Sequence, residues 1–126
     1  MGYWDKYCNV DVLKGKTLSS VDGDSYELIF KTTDGETYRM YHEQDCCETV
    51  SIEDIVGDLQ DLVGSEILIA KEVEGESPAD FEAYESYTWT FYKFATRKGY
   101  VDIRWLGQSN GYYSESVSFV KDNDVD

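Results

Sequence analysis

The chain's only histidine and two of its three cysteines lie within seven positions, in the stretch HEQDCCE at residues 42–48. Histidine, aspartate and cysteine side chains are zinc ligands, and a cysteine next to a histidine base is a potential nucleophile. The side chains that could take these roles are His42, Asp45, Cys46 and Cys47. The stretch therefore raises two chemical hypotheses, a metal site and a catalytic thiolate.

The spacing of these residues disfavours both hypotheses. Neighbouring side chains of an extended segment point to opposite faces, and no CxxC or HxxxH spacing occurs in the chain. His42 and Cys46 would lie about 13 Å apart in a strand, and the surrounding carboxylates oppose thiolate formation. We therefore expect no metal, no cofactor and no catalysis. We interpret HEQDCCE as a structural junction between a strand that ends at His42 and a helix, with Cys46 and Cys47 packed inward.

Residues with binding chemistry are concentrated between Trp89 and Tyr113, where basic and aromatic side chains alternate. Arginine can contact a phosphate through two N–H groups, and aromatic rings stack on nucleobases. The predicted ligand-binding residues are Trp89, Tyr92, Arg97, Lys98, Arg104, Trp105, Asn110, Tyr112 and Tyr113. The alternative is that the rings form the core and the cations pair with the surplus acids.

The stretch from Met40 to Ala70 contains eight acidic residues and no lysine or arginine. A stripe of carboxylates on a helix can imitate nucleic-acid phosphates and block a basic groove on a protein. The predicted partner-binding residues in this stripe are Asp54, Asp58 and Asp61. The alternative is a solvated helix face with no partner.

A helix that would present these acids is predicted from SIEDIVGDLQDLVG, residues 51–64. Its apolar residues at positions 55, 56, 59, 62 and 63 recur at helical spacing. Ser51 can cap the first turn and Gly64 can end the last one. We predict one amphipathic helix over residues 52–63.

The remaining elements are predicted to be strands. A hairpin over residues 25–32 and 36–43 turns at Asp34-Gly35, with Thr33 facing Glu36, and Asn110-Gly111 is a second tight-turn signal. Further strands are predicted at residues 65–76, 87–96, 99–107 and 112–120, with a weaker one at 16–22. The predicted class is α+β and β-dominated, with one helix and six to seven mostly antiparallel strands in a sandwich or partly closed barrel.

Composition limits the setting in which the protein acts. A length of 126 residues is typical of a single domain, which we assign to residues 1–126 with frayed ends at 1–8 and 121–126. The formal charge of −15 should repel DNA, RNA and anionic membranes. We find neither a secretion signal nor an apolar run of about 20 residues, so we expect a soluble cytoplasmic protein with reduced cysteines.

Two long strings of the sequence resemble a family of small domains of unknown function that phages and prophages encode. They are KTTDGETYRMYHEQDCCETVSIEDIVGDLQDLVGSEILIAKE, which contains the HxQDCCE motif, and YTWTFYKFATRKGYVDIRWLGQSNGYYSESV. The likeness runs from Thr17 to Phe119. It implies a viral accessory protein that acts in the bacterial host cytoplasm, and it assigns no functional residues.

Two functions are consistent with these observations. The first is counter-defence without catalysis, in which the protein sequesters a nucleotide-derived immune signalling molecule in a pocket of rings and cations. A neighbouring subunit would help to wall that pocket, so we expect a homo-oligomer. The alternative is an acidic inhibitor or DNA mimic that blocks a host defence protein such as a nuclease. The segment from Trp89 to Tyr113 favours the first.

Overall fold

A computed structural model of the chain describes residues 7–43, 48–75, 86–109 and 116–121. Its eight strands form two antiparallel four-stranded sheets, of order β1-β2-β3-β8 and β4-β7-β6-β5. The strands are β1 (Leu18–Gly23), β2 (Glu27–Thr32), β3 (Thr37–Tyr41), β4 (Thr49–Val56), β5 (Ile69–Gly75), β6 (Ser86–Thr96), β7 (Gly99–Ser109) and β8 (Ser118–Lys121). Within the described ranges the only helical segments are two 3-10 helices, Val10–Leu13 and Leu59–Leu62.

The hydrophobic core lies between the two sheets, because each strand alternates apolar side chains toward it. The rings of Phe30 in β2 and Phe94 in β6 meet across the core with centroids 5.8 Å apart. The Trp105 indole N–H in β7 donates to the Met40 sulfur in β3 at 3.2 Å. The predicted β-dominated, antiparallel fold is confirmed. The described strands number eight rather than six or seven, and they form no closed barrel.

The predicted helix over residues 52–63 is wrong. Residues 49–56 form strand β4, and only Leu59–Leu62 makes a short 3-10 helix, which Asp58 caps by accepting a hydrogen bond from the Gln60 N–H at 2.9 Å. Gly57 separates the two elements with φ at +102°, where an added Cβ would stand 2.4 Å from the Tyr100 carbonyl oxygen. A helix cannot pass through this point with that backbone conformation.

A β-bulge in β4 explains why its sequence has helical spacing. The register of β4 against β7 shifts between Ile52 and Asp54. Ile52 and Ile55 therefore lie opposite the core residues Trp105 and Ile103, although they are three positions apart in sequence. A bulge inserts one residue into the alternation, and a spacing of three on one face is otherwise typical of a helix.

The hairpin between β2 and β3 has a three-residue loop, so the predicted two-residue turn is wrong by one residue. The Gly35 N–H donates to the Thr32 carbonyl at 3.2 Å, and Gly35 has φ at +91°. Glu36 then faces Thr32 instead of Thr33, with the Thr32 N–H donating to its carbonyl at 2.9 Å. In the observed register Tyr38 pairs with Phe30, and both side chains are buried in the core.

Residues 42–48 connect the two sheets, since β3 belongs to the first and β4 to the second. HEQDCCE is thus a junction, but the element that follows it is a strand and not the predicted helix. No helix in the described ranges is long and apolar enough to cross a membrane.

Candidate functional site

The second sheet turns one face to the core and leaves the other without a covering element among the described residues. Buried side chains alternate in its central strands with half-buried ones that point outward. The outward side chains are Trp89, Phe91 and Lys93 in β6, Asp102, Arg104 and Leu106 in β7, Lys71 and Val73 in β5, and Asp54 and Val56 in β4. We call this surface the outer face.

Arg104 lies against two aromatic rings near the middle of the outer face. Its guanidinium carbon is 5.4 Å from the centroid of the Trp89 ring and 5.9 Å from that of Phe91. The two rings are nearly parallel, with an interplanar angle of 6° and centroids 6.2 Å apart. Residues two apart on a strand share a face, and Arg104 is the cross-strand partner of Phe91. A cation and two flat apolar surfaces are therefore presented together.

The ion pairs of the outer face are loose. Arg104 Nη1 is 3.8 Å from the Asp54 carboxylate, and Lys93 Nζ is 3.6 Å from that of Asp102. The Arg104 and Asp54 side chains are 41% and 53% exposed. Exposed pairs of this kind contribute about 0–1 kcal/mol, so an incoming anion can displace the carboxylate at little cost.

Apolar side chains are also exposed on this face. Large hydrophobic residues in contact with solvent include Val56, Ile69, Val73 and Tyr100. Val56 pairs with Asp102, Val73 pairs with Phe91, and Ala95 is the strand partner of both Ile69 and Tyr100. These pairings place all four residues on the outer face. These four residues are distributed over β4, β5 and β7, and they add apolar contact area to the outer face.

The predicted ligand-binding residues do not form one cluster. Trp89 and Arg104 are brought together on the outer face. Tyr92 and Trp105 are fully buried on the opposite side of the same strands and cannot contact a ligand there. Arg97 and Lys98 lie in the β6–β7 turn, beyond the start of β7, which is about 17 Å along the strand from Arg104. Asn110, Tyr112 and Tyr113 lie outside the described residues.

Lys98 has a structural contact of its own. Its ammonium group donates to the Val63 carbonyl, and its backbone N–H donates to the Thr96 hydroxyl at 3.2 Å. The turn is thereby attached to the segment that follows the Leu59–Leu62 helix. Arg97 is exposed beside it and, unlike Arg104, contacts no aromatic ring of the described residues.

The three acids of the predicted partner-binding stripe occupy three different environments, because the helix that would align them is absent. Asp54 is in β4 beside Arg104. Asp58 caps the Leu59–Leu62 helix, and the backbone carbonyl of Asp61 accepts a hydrogen bond from the Thr96 hydroxyl at 2.5 Å. They form no single helix face.

Within HEQDCCE, His42 and Glu48 form a buried pair. His42 Nε2 is 2.6 Å from Glu48 Oε2, and these side chains are 4% and 0% exposed. The other ring nitrogen, Nδ1, is 2.6 Å from the Ser116 carbonyl oxygen. Both imidazole nitrogens are thus engaged, and they tie the ends of the β3–β4 connection to the start of β8.

The two ring nitrogens of His42 both have oxygen partners. The Ser116 carbonyl can only accept, so Nδ1 carries a proton. Nε2 lies at hydrogen-bonding distance, 2.6 Å, from the Glu48 carboxylate oxygen. Both nitrogens are thus engaged with oxygen partners and are not available to bind zinc or activate a thiol, and this supports the structural interpretation of His42.

The other described parts of HEQDCCE are also structural. Glu43 accepts hydrogen bonds from the hydroxyls of Tyr7 and Tyr41, and its bond to Tyr7 raises the pKa of that phenol to about 12. Cys46 and Cys47 lie outside the described residues. Burial raises the pKa of Cys8, the one cysteine that is described, which disfavours its thiolate. The described residues contain no group of three or more potential metal ligands.

Comparison with known proteins identifies the family. The family of domains of unknown function DUF7448 matches residues 11–119. The chain belongs to this family. No curated protein matches the chain, and no solved structure matches it. The match covers both sheets except the last two residues of β8, and it brings no assigned activity or site.

Phe91, Lys93 and Lys71 are parts of the outer face that the predicted ligand-binding set does not contain. The period-two alternation of YTWTFYKF could have found Phe91 and Lys93, because it places both on the same face as Trp89. It places Tyr92 on the opposite face. Lys71 belongs to β5, and its position opposite Lys93 depends on strand register, which the sequence does not reveal.

Proposed function

We propose that this protein is a non-catalytic binding protein that captures a nucleotide-type anion on its outer face. The observation that carries the proposal is the placement of the Arg104 guanidinium over the rings of Trp89 and Phe91. Rings of this kind stack on nucleobases, and an arginine supplies N–H donors to a phosphate. A ligand of this class would use both features at once.

The charge distribution supports an anion at this position. The chain carries 26 acids against 11 lysines and arginines. The outward positions of the second sheet named above hold three cations, Lys71, Lys93 and Arg104, against two carboxylates, Asp54 and Asp102. A local positive potential can hold one compact anion, although the molecule as a whole repels long polyanions such as DNA.

The biological setting of the proposal is viral counter-defence, in which the protein would sequester a nucleotide-derived immune signal of the bacterial host. The family resemblance motivates this setting. Binding alone accomplishes sequestration, so no catalytic group is required. Sequestration requires that the protein be more abundant than the signalling molecule. It also requires a dissociation constant below the cellular concentration of that molecule.

A second copy of the chain would lie against the same face in this proposal. The exposed residues Val56, Ile69, Val73 and Tyr100 supply apolar contact area there. Since most of the surface is acidic, copies of the chain repel one another least through a face where cations outnumber carboxylates. Light scattering over a range of protein concentrations tests this, and a monomer at all concentrations would contradict it.

Calorimetry with a panel of cyclic oligonucleotides and ADP-ribose derivatives tests the binding function. Arg104→Ala should weaken binding by about 10-fold to 150-fold, the value of a hydrogen bond to a charged group. Trp89→Ala should weaken it by a similar factor through lost stacking. Arg97→Ala is the matched control, because it removes the same charge from an exposed turn away from the rings. No binding by the wild type, or equal loss in both arginine variants, would contradict the proposal.

A further inference from the structure

Two lysines face each other directly on the outer face. Lys71 of β5 is the cross-strand partner of Lys93 of β6, and both are on the outward side. Like charges at directly opposed positions of neighbouring strands destabilise a sheet. In a chain with more than twice as many acids as bases, an acid opposite either lysine would be the common outcome.

Neighbouring carboxylates do not relieve this repulsion fully. Lys93 has a loose pair with Asp102, at 3.6 Å and with both side chains about two-fifths exposed. Lys71 is exposed and forms no ion pair within the described part of the chain. Two adjacent ammonium groups with one loosely held carboxylate are therefore presented to solvent.

The lysine pair adjoins the rings. Lys93 is two residues from Phe91 on the same side of β6, a distance of about 6.6 Å along the strand. Arg104 is opposite Phe91, so it is diagonal to Lys93 at a spacing of about 7–8 Å. These spacings are within the reach of lysine and arginine side chains, so all three cations can contact one phosphate group that lies beside the ring of Phe91.

We propose that Lys71 and Lys93 form an anion subsite that binds the phosphate or diphosphate end of the ligand. The base would lie toward Trp89 and the phosphate toward the lysines, along the direction of β6. The ligand class is then a nucleotide with at least one unshielded phosphate, as distinct from a nucleoside. The orientation of the base rests on the proposed function, whereas the anion subsite can be tested without a base.

Inorganic pyrophosphate is the probe for the subsite. Its affinity for the full chain is measured by calorimetry and by thermal unfolding, at constant ionic strength set with sodium chloride. Lys71→Gln/Lys93→Gln should bind pyrophosphate at least tenfold more weakly than the wild type. The control is Lys14→Gln/Lys31→Gln, which removes the same charge from exposed positions before β1 and in β2. The control should bind as the wild type does.

Each outcome decides the proposal. The subsite is overturned if pyrophosphate binds the wild type and the Lys71→Gln/Lys93→Gln variant with equal affinity. It is also overturned if the wild type does not bind pyrophosphate at about 10 mM, a concentration that would fill even a site with a millimolar dissociation constant. ADP separates this failure from that of the proposed function. If ADP binding depends on Trp89 but not on the two lysines, only the subsite is wrong. If neither ADP nor pyrophosphate binds, the subsite is wrong and the proposed function loses its support for this ligand class.

The thermal measurement also distinguishes a ligand-binding lysine pair from one that only stabilises the fold. The Lys71→Gln/Lys93→Gln variant should be at least as stable as the wild type without ligand, because the like-charge contact is gone. Pyrophosphate should raise the melting temperature of the wild type and leave that of the variant unchanged. A variant that is less stable than the wild type and still responds to pyrophosphate overturns the proposal.

Discussion

Replacing His42 by alanine is the sharpest test of the junction between the two sheets. In the native chain its ring lies between the fully buried Glu48 carboxylate and the Ser116 carbonyl, at 2.6 Å from each. The substitution removes this partner from Glu48 and leaves the carboxylate inside the protein. It also removes the contact that joins the β3–β4 connection to the start of β8.

The expected loss in the free energy of unfolding follows from the burial of His42 and Glu48. Removing the partner of a buried carboxylate costs about 3–5 kcal/mol, because a desolvated charge remains without that partner. For a domain of this size 1 kcal/mol corresponds to about 3–5 °C in melting temperature, so the expected fall for His42→Ala is about 10–20 °C. Such a loss is a large part of the about 5–15 kcal/mol that keeps a domain folded.

Glu48→Gln is the control, because a glutamine amide can donate to Nε2 while Nδ1 still donates to Ser116. It should cost less than about 1 kcal/mol, and it should recover most of the loss when combined with His42→Ala. Urea unfolding at pH 7 measures all three free energies. A loss below about 1 kcal/mol for His42→Ala, or equal losses for the two single variants, would refute the reasoning.

Other parts of the fold give further predictions. Hydrogen bonds from Lys121 and Lys16 lower the pKa of Glu36 from 4.5 to about 2. Its carboxylate therefore stabilises the fold above pH 4.5, and this contribution disappears as the pH falls toward 2. Glu36→Gln should cost about 1 kcal/mol at pH 7, after allowance for solvent screening, and should weaken the acid dependence of the melting temperature between those limits. An unchanged acid dependence would contradict this. Gly57→Ala should cost more than about 2 kcal/mol, because φ is positive and the new Cβ would stand 2.4 Å from the Tyr100 carbonyl. Gly35→Ala, with positive φ but nothing within 4 Å of the Cβ position, should cost about 1 kcal/mol. Urea unfolding compares the two, and equal losses would show that the close approach is unimportant.

Most strands were predictable from sequence because they follow the simple alternation of buried and exposed residues. Strands β6 (Ser86–Thr96) and β7 (Gly99–Ser109) are rich in aromatic and β-branched residues and match their predicted bounds closely. The weak strand predicted at residues 16–22 is β1, Leu18–Gly23. These elements needed only local pattern and composition.

The helix prediction failed where a local irregularity changed the pattern. The bulge in β4 places Ile52 and Ile55 on one face, and Gly57 then turns the chain into a single 3-10 turn. Bulges and close backbone approaches depend on the partner strand, here β7, which follows more than forty residues later. A local pattern contains no information about that partner.

Only part of the candidate site was predictable from sequence, because its other part depends on strand register. The segment around Trp89 and Arg104 could be selected from residue types, and alternation could have excluded Tyr92 and Trp105. The lysine pair could not be found, because Lys71 meets Lys93 only through the register of β5 on β6. The partner of His42 that precedes β8, Ser116, is likewise 74 residues away in sequence.

The central claim is that Arg104 binds an anion on the outer face, and the Asp54→Asn variant tests it most directly. If the ligand binds Arg104 as proposed, Asp54 competes with it, so replacement of Asp54 should tighten binding of the best nucleotide in the panel by about 2–5-fold, the value of a loose exposed ion pair. The same titration should show at least a tenfold loss for Arg104→Ala. Weaker binding by Asp54→Asn, or loss of capture of a basic host protein by that variant, would contradict the claim and indicate instead that the carboxylate binds a partner.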